Sequence, residues 1–174
     1  ALLGNVEVIS LDMTTSRYIP VGQSQWFDAQ LDHVPTQVQF IFILYHLPWM
    51  ADEQSRLLGG QPEKDALRLR NVLESHLNRL HARVIVLNGH LHTYERFERK
   101  GVEYIVTGGG GAIPYPVLVR GSADLYRDPG FPVYHYLTID VDKGHLSAVM
   151  WKIKDPNAPT LTVEAKDHFE MTAP

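Results

Sequence analysis

Three nearly unbroken hydrophobic runs stand out along the chain, and a histidine or a glycine follows each of them within two residues. They cover residues 38–44, 84–87 and 104–107. Runs of this length, rich in β-branched and aromatic residues, predict strands that are buried on both faces, which is typical of parallel or mixed sheets covered by helices. The pattern therefore predicts an α/β fold with a sheet at its centre.

The rest of the chain gives weaker periodic signals. Residues 6–11 alternate like a strand, and residues 22–31 predict a short helix that turns Trp26, Phe27 and Leu31 towards the core. A longer helix is predicted from Pro62 to about residue 80, where apolar residues recur in steps of three and four. Further strands are predicted at residues 134–141, 146–153, 160–164 and 168–171, after a long loop over residues 114–132.

Histidines follow two of the hydrophobic runs. His46 comes after the first run, and His90 and His92 come after the second. If the two strands are parallel neighbours, all three imidazoles meet at one edge of the sheet, where ligands bind in such folds. Neutral imidazole is a common ligand of zinc, iron and related ions. Gly89 is expected to take a backbone conformation that other residues avoid, and the glycines at 108–111 are expected to allow close backbone approach to this edge.

Composition narrows the class of protein without fixing its location. The 174 residues are 44% hydrophobic and 21% charged, which suits one globular domain with a substantial core. A net charge of −4 with scattered basic residues argues against a nucleic-acid partner. No apolar stretch approaches the roughly 20 residues of a membrane span, and the absence of cysteine rules out disulfides and thiolate zinc sites. The compartment stays open on these grounds.

Several segments resemble one known family, the calcineurin-like metallophosphoesterases, and within it the purple acid phosphatase branch. The resemblance is carried, in chain order, by Ile9-Ser10-Leu11-Asp12, Tyr45-His46-Leu47-Pro48, Asn88-Gly89-His90-Leu91-His92-Thr93-Tyr94-Glu95-Arg96 and Thr107-Gly108-Gly109-Gly110-Gly111-Ala112. It implies a β-sandwich flanked by helices, of which this chain would be the C-terminal part. It also implies a dinuclear centre of iron, zinc or manganese.

The resemblance assigns roles to individual residues. His46 and His90 would bind one metal ion and His92 the other. Independently of the resemblance, Glu95 and Arg96 are predicted to brace the histidine loop, because metal sites need neighbouring residues to orient their ligands. The implied activity is metal-dependent hydrolysis of a phosphate ester, by a phosphatase or a phosphodiesterase. No catalytic residue of this reaction is assigned within the chain, and the residues that bind substrate are not identified.

The upstream metal motifs of the family are absent, since the sequence has no DxH, no GDxxD or GDxxY, and no Gly-Asn-His followed by an acid. We therefore expect residues 1–174 to form the C-terminal portion of the domain, holding one metal ion or none. The chain alone should then be a poor catalyst or none, and a phosphate ester, the missing N-terminal half or a second copy are its expected partners. The resemblance favours a secreted or periplasmic parent.

Two alternatives remain open at this stage. The chain can be a non-catalytic interaction module that keeps the fold, or a mononuclear zinc hydrolase with three histidine ligands, although the latter lacks an evident general base. For His46, the simpler interpretation is a strand-end histidine that binds a backbone carbonyl. His135 is predicted to be an ordinary sheet residue, and the remaining histidines, at positions 33, 76, 81, 145 and 168, are predicted to lie at the surface.

Overall fold

Two sheets stacked face to face form the centre of the computed structural model, which describes residues 1–13, 20–52, 62–117, 119–126, 128 and 134–174. Within these residues the elements are β1 (Leu2–Leu3), β2 (Val6–Ser10), α1 (Val21–Asp32), β3 (Phe40–Tyr45), α2 (Lys64–His76), β4 (Arg83–Asn88), β5 (Tyr94–Arg99), β6 (Val102–Thr107), β7 (His135–Asp142), β8 (His145–Ile153) and β9 (Val163–Thr172). Neither α1 nor α2 is long and apolar enough to cross a membrane.

The larger sheet has the strand order β1-β2-β3-β4-β6-β5. Its four central strands, β2, β3, β4 and β6, are parallel, and the short β1 and the hairpin strand β5 are antiparallel edges. Tyr45 at the end of β3 lies opposite Asn88 at the end of β4. The two histidine-bearing loops therefore leave the sheet side by side, as the sequence predicts.

The hydrophobic runs are continuous because both faces of the larger sheet are covered. Along β3, Ile41 and Ile43 pack into the core beneath α1 and α2, whereas Phe40 and Phe42 pack into the core shared with the smaller sheet. Successive side chains of a strand point to opposite faces, so a strand between two cores needs an apolar residue at every position.

The smaller sheet, β7-β8-β9, is antiparallel and alternates along its strands. On β8, Leu146, Ala148 and Met150 are fully buried against the larger sheet, while the residues between them are partly exposed. This alternation is typical of a sheet with one face on a core and one face towards solvent.

The predictions for the helices need three corrections. Trp26 was expected in the core but is 45% exposed, because the buried stripe of α1 runs through Ser24, Phe27 and Leu31 instead. The second helix ends at His76 and not at residue 80, since a turn follows it. His76 was expected at the surface but is buried, with Nε2 of its ring 2.7 Å from Asp28 of α1.

The predictions for the strands need two corrections. The last pair of strands, expected at residues 160–164 and 168–171, is a single strand, β9, with an irregularity opposite Met150 and Trp151. Residues 94–99, for which the sequence predicts no strand, form β5. The long loop predicted over residues 114–132 contains no helix or strand in the part that the structure describes, and residues 118, 127 and 129–132 lie outside that part.

Candidate metal centre

The imidazoles of His46 and His90 meet where β3 and β4 end. Nδ1 of His90 lies 3.2 Å from Nε2 of His46, and the ring centroids are 5.1 Å apart with an interplanar angle of 74°. Two nitrogen ligands of one tetrahedral zinc ion, each about 2.05 Å from the metal, lie about 3.3 Å apart. The observed separation of the two nitrogens thus fits a pair of imidazoles that share one ion.

The backbone conformation and the ring environment of His90 are both unusual for a histidine. Its φ of 62° lies in the left-handed region, which residues with a side chain enter rarely and mostly where function requires it. Burial, followed by the neighbouring His46 ring, lowers the pKa of His90. Its Nε2 is buried and receives no hydrogen bond from any residue that the structure describes. A neutral imidazole is the form that binds a metal ion.

Gly89 has a different role from the one predicted. The left-handed residue is His90, and Gly89 instead donates its backbone N–H to the carbonyl of His46 at 3.0 Å. A side-chain carbon added at Gly89 would lie 3.7 Å from Nδ1 of His46, which is ordinary contact distance. The glycine therefore joins the two histidine loops directly through its backbone.

His92 is fixed by a residue that the sequence did not indicate. Nδ1 of its ring lies 3.0 Å from the carbonyl oxygen of Ile113, so this nitrogen carries the proton and Nε2 carries the lone pair. The backbone N–H of Tyr115 donates to the carbonyl of His92 at 3.1 Å, and the two rings are 5.4 Å apart. A hydrogen bond from one ring nitrogen to a carbonyl is the usual way in which metal-binding histidines are oriented.

The glycine run approaches the histidine loop as closely as predicted. A side-chain carbon at Gly108 would lie 1.9 Å from the carbonyl oxygen of Leu91 and 3.4 Å from Cα of His92. No residue with a side chain fits there without moving the backbone. The expectation of close backbone approach at this edge is confirmed for Gly108.

The two residues predicted to brace the histidine loop make contacts elsewhere. Glu95 is fully buried, and its Oε2 accepts the backbone N–H of Asp52, at 2.7 Å, in the loop that follows His46. Arg96 reaches the smaller sheet, where its Nε donates to Asp167 at 2.7 Å and its guanidinium lies 5.0 Å from the ring centroid of Phe169. The bracing role stays a prediction for both residues.

Glu95 belongs to a carboxylate cluster that the sequence did not reveal. Carboxylate oxygens of Asp52, Glu95 and Asp124 lie within 4.8 Å of one another, and all three residues are buried. Burial raises the pKa of Glu95 to about 8; the hydrogen bond from Asp52 N–H opposes this rise, and the charges of Asp52 and Asp124 add to it. Among the described residues, His46, His90 and His92 do not form such a set of three ligand atoms within 4.8 Å of one another. The structure pairs His46 with His90, and His92 is not part of that pair.

Among known proteins, the sequence is similar to purple acid phosphatases. The chain is 30% identical over 134 residues to probable purple acid phosphatase 20 of Arabidopsis thaliana, covering 71% of this chain and 29% of that protein. It is 35% identical over 156 residues to purple acid phosphatase 21 of the same plant, covering 84% and 33%. No protein-family model matches the sequence. The chain thus spans about a third of the length of the curated relatives it matches.

Solved structures show the same fold. Purple acid phosphatase PPD1 from yellow lupin seeds aligns over 97% of this chain and 31% of its own, with a TM-score of 0.71 at 15% identity. PhoD aligns over 89% of this chain and 33% of its own, with a TM-score of 0.64 at 12% identity. The predicted fold class, an α/β chain with part of a β-sandwich flanked by helices, is confirmed by these likenesses together with the two-sheet topology.

Proposed function

Because the chain is related to the purple acid phosphatases of the calcineurin-like metallophosphoesterases, we propose that it supplies the three-histidine part of a dinuclear site that hydrolyses phosphate esters. The observation that carries the proposal is the 3.2 Å contact between ring nitrogens of His46 and His90 at the end of two parallel strands. This spacing, together with a lowered pKa that keeps His90 neutral and a fixed tautomer of His92, supports a metal ligand set.

Each histidine has a defined part in the proposed site. His46 and His90 would hold one ion together, while His92, oriented by the Ile113 carbonyl, would offer Nε2 to the second ion. When bound, the two ions activate a water molecule and neutralise charge on the phosphoryl group. The protein carries a net charge of −4, so the ions and not the overall field would attract the anionic substrate.

We propose that the ligand set is completed by residues outside this chain. Three neutral imidazoles bring no negative charge, so they would not by themselves offset the charge of two metal ions. The carboxylate cluster of Asp52, Glu95 and Asp124 does not supply this negative charge to the histidines, because it forms a separate buried group. Its oxygens accept backbone N–H groups, namely those of Asp52, Gly121, Arg96 and Tyr126. The chain's short coverage of its relatives is consistent with ligands that lie elsewhere.

Metal binding tests the histidine assignment. Isothermal titration of the metal-free chain with zinc should give a binding step that is weakened at least about tenfold in the His46→Ala and His90→Ala variants. His145→Ala is the matched control, because this histidine is exposed on β8 and its side chain is 51% accessible. Equal zinc affinity in all four proteins would reject the site.

Turnover tests the hydrolase assignment. The chain with zinc, manganese or iron should hydrolyse an aryl phosphate no faster than its His90→Ala, His92→Ala double variant. Activity should appear when a polypeptide bearing the upstream metal motifs is added, and the double variant should abolish that activity. Turnover by the chain alone that the double variant removes would show that the 174 residues form a complete site. Zinc binding without turnover in any combination would favour a non-catalytic module.

A further inference from the structure

Three carboxylates from separate segments of the chain meet in the buried cluster described above. Their ligand oxygens lie within 4.8 Å of one another, and Asp52, Glu95 and Asp124 are 6%, 0% and 0% exposed. The three residues come from the loop after β3, the start of β5 and the loop beyond the glycine run. Carboxylates this close repel one another and lose their hydration on burial, so the cluster requires a neutralising partner.

Glu95 has an oxygen that is left over after the hydrogen bonds of the cluster are made. Its Oε1 is buried and accepts no hydrogen bond from any residue that the structure describes, while Oε2 accepts the Asp52 N–H at 2.7 Å. Arg120 forms an ion pair with Asp124, but no cationic side chain within the described ranges forms one with Glu95. Because a buried carboxylate without a cation is strongly unfavourable, this oxygen points to a bound ligand.

The donor atoms of the cluster are all carboxylate oxygens, which prefer hard cations to zinc or copper. Calcium binds oxygens at 2.3–2.6 Å, so two of its ligands can lie up to about 5 Å apart and one ion can reach all three carboxylates. Magnesium binds oxygens at the shorter distance of 2.0–2.1 Å and usually keeps several waters, which suits so enclosed a site less well. The donor set therefore favours calcium.

Backbone groups hold the carboxylates in place independently of any ion. Gly121 donates its N–H to Oδ1 of Asp52 at 2.8 Å, and a side-chain carbon at Gly121 would lie 2.7 Å from this oxygen. Oδ1 of Asp124 accepts the N–H groups of Arg96 and Tyr126 at 3.1 and 3.0 Å. A ligand set that is ordered in advance binds at a lower entropic cost.

We propose that Asp52, Glu95 and Asp124 bind one calcium ion, which joins the loop after β3, the start of β5 and the loop at residues 119–126. The ion is structural, because its ligands are buried and offer no open position to a substrate. It fixes the chain that follows His92 against the loop after β3. The inference does not depend on the proposed function, since none of these ligands belongs to the histidine centre.

Calcium titration of the chelator-treated chain tests the site. At a calcium concentration of about one hundred times Kd, the ratio of folded to unfolded protein in urea should rise about a hundredfold. Glu95→Gln keeps an acceptor for the Asp52 N–H but removes a charged ligand, so it should weaken calcium binding at least about tenfold. Glu98→Gln, at an exposed position of β5, is the matched control and should bind calcium as the wild type does.

A second variant and a second probe keep the test decisive. Cooperative urea unfolding without calcium shows whether Glu95→Gln folds, and Asp52→Asn takes its place if it does not. Terbium, a luminescent substitute for calcium, should bind the wild-type chain and be displaced by calcium.

The His90→Ala, His92→Ala double variant separates this inference from the proposed function, because it should keep its calcium affinity while it loses zinc. Equal calcium affinity in the wild type and the carboxylate variant would overturn the inference, as would equal losses in Glu95→Gln and Glu98→Gln. A wild-type chain that binds neither calcium nor terbium would also overturn it, and would mean that a proton on Glu95 neutralises the cluster.

Discussion

The side chain of Asn88 accepts the backbone N–H of Trp49 at 3.0 Å. The same amide donates to the carbonyl of Tyr45 at 2.8 Å, and Asn88 is buried. Since Tyr45 and Trp49 flank His46 and Asn88 precedes Gly89 and His90, one side chain sets the position of both histidine loops. This amide is the local cause of the contact between the imidazoles.

Removing that amide should cost stability and metal affinity together. Asn88→Ala leaves the Trp49 N–H and the Tyr45 carbonyl buried without their partner, which should lower the free energy of unfolding by about 2–4 kcal/mol. Zinc affinity should fall as well, because the His46 loop is released. Chemical denaturation and zinc titration measure the two effects, with the exposed Asn71→Ala as control. Loss of stability with unchanged zinc affinity would show that Asn88 does not position the site.

The parallel core of the fold was predictable because its strands lie between two cores. β3 and β4 need apolar residues at every position, and such runs are visible in sequence. β5 was not predicted as a strand because its polar residues are buried by partners far along the chain, such as Asp167 for Arg96, 71 residues away. The single strand β9 was split in two because charged residues interrupt its pattern.

The ligand types of the candidate site were predictable, but their supports were not. Histidines that follow buried strands predict a metal site at the edge of the sheet where those strands end, and the structure brings His46 and His90 into contact there. The partner that orients His92 is the backbone carbonyl of Ile113, and any residue at that position would supply it. The cluster around Glu95 depends on Asp52 and Asp124, which come from two distant loops. Such partners leave no pattern in sequence.

The glycine run should divide into two required and two replaceable positions. Gly108→Ala should destabilise by about 3 kcal/mol or more and Gly109→Ala by about 1–3 kcal/mol, because the added carbons would lie 1.9 Å from Leu91 O and 2.1 Å from the His135 ring. Gly110→Ala should be neutral or stabilising by up to about 1 kcal/mol, since it meets no atom. Thermal and urea unfolding of the three variants check the order. A Gly108→Ala variant as stable as Gly110→Ala would contradict the packing.

Arg96 should stabilise the packing of the two sheets against each other. Its guanidinium and Asp167 form an ion pair with a 2.7 Å contact, and each side chain is 12% exposed. Arg96→Met should therefore lower the free energy of unfolding by about 3 kcal/mol, because it leaves a largely buried carboxylate without its cation. Combining it with Asp167→Leu should restore part of the loss, because the leucine also removes the acceptor of the buried Tyr94 hydroxyl, which donates to Asp167 at 2.9 Å.

A double-mutant cycle of urea unfolding measures the coupling between Arg96 and Asp167. Additive losses would mean that the pair contributes nothing. Zinc titration of Arg96→Met tests the prediction that Arg96 braces the histidine loop. Unchanged zinc affinity would mean that Arg96 only stabilises the packing of the two sheets, and a large loss of zinc affinity would support the bracing role.

Stability should fall with rising pH because of Glu95. Its pKa rises from 4.5 to about 8 on folding, chiefly through burial. Between these values the folded state holds a proton that the unfolded state releases, so the free energy of unfolding decreases by at most about 1.4 kcal/mol for each pH unit. Below the lower pKa both states are protonated and above the higher one both are ionised, so the contribution of Glu95 is constant there.

The Glu95→Gln variant should lack this dependence. Its amide oxygen can still accept the Asp52 N–H, its N–H groups can donate to the carboxylates of Asp52 and Asp124, and it carries no charge to bury. The free energy of unfolding of the variant should therefore increase relative to that of the wild type as the pH rises from about 5 to about 8. Glu98→Gln, at an exposed position on the same strand, should differ little from the wild type at any pH. Urea unfolding across this range measures the difference, and a Glu95→Gln variant that loses stability relative to the wild type as the pH rises would show that Glu95 is ionised in the folded protein.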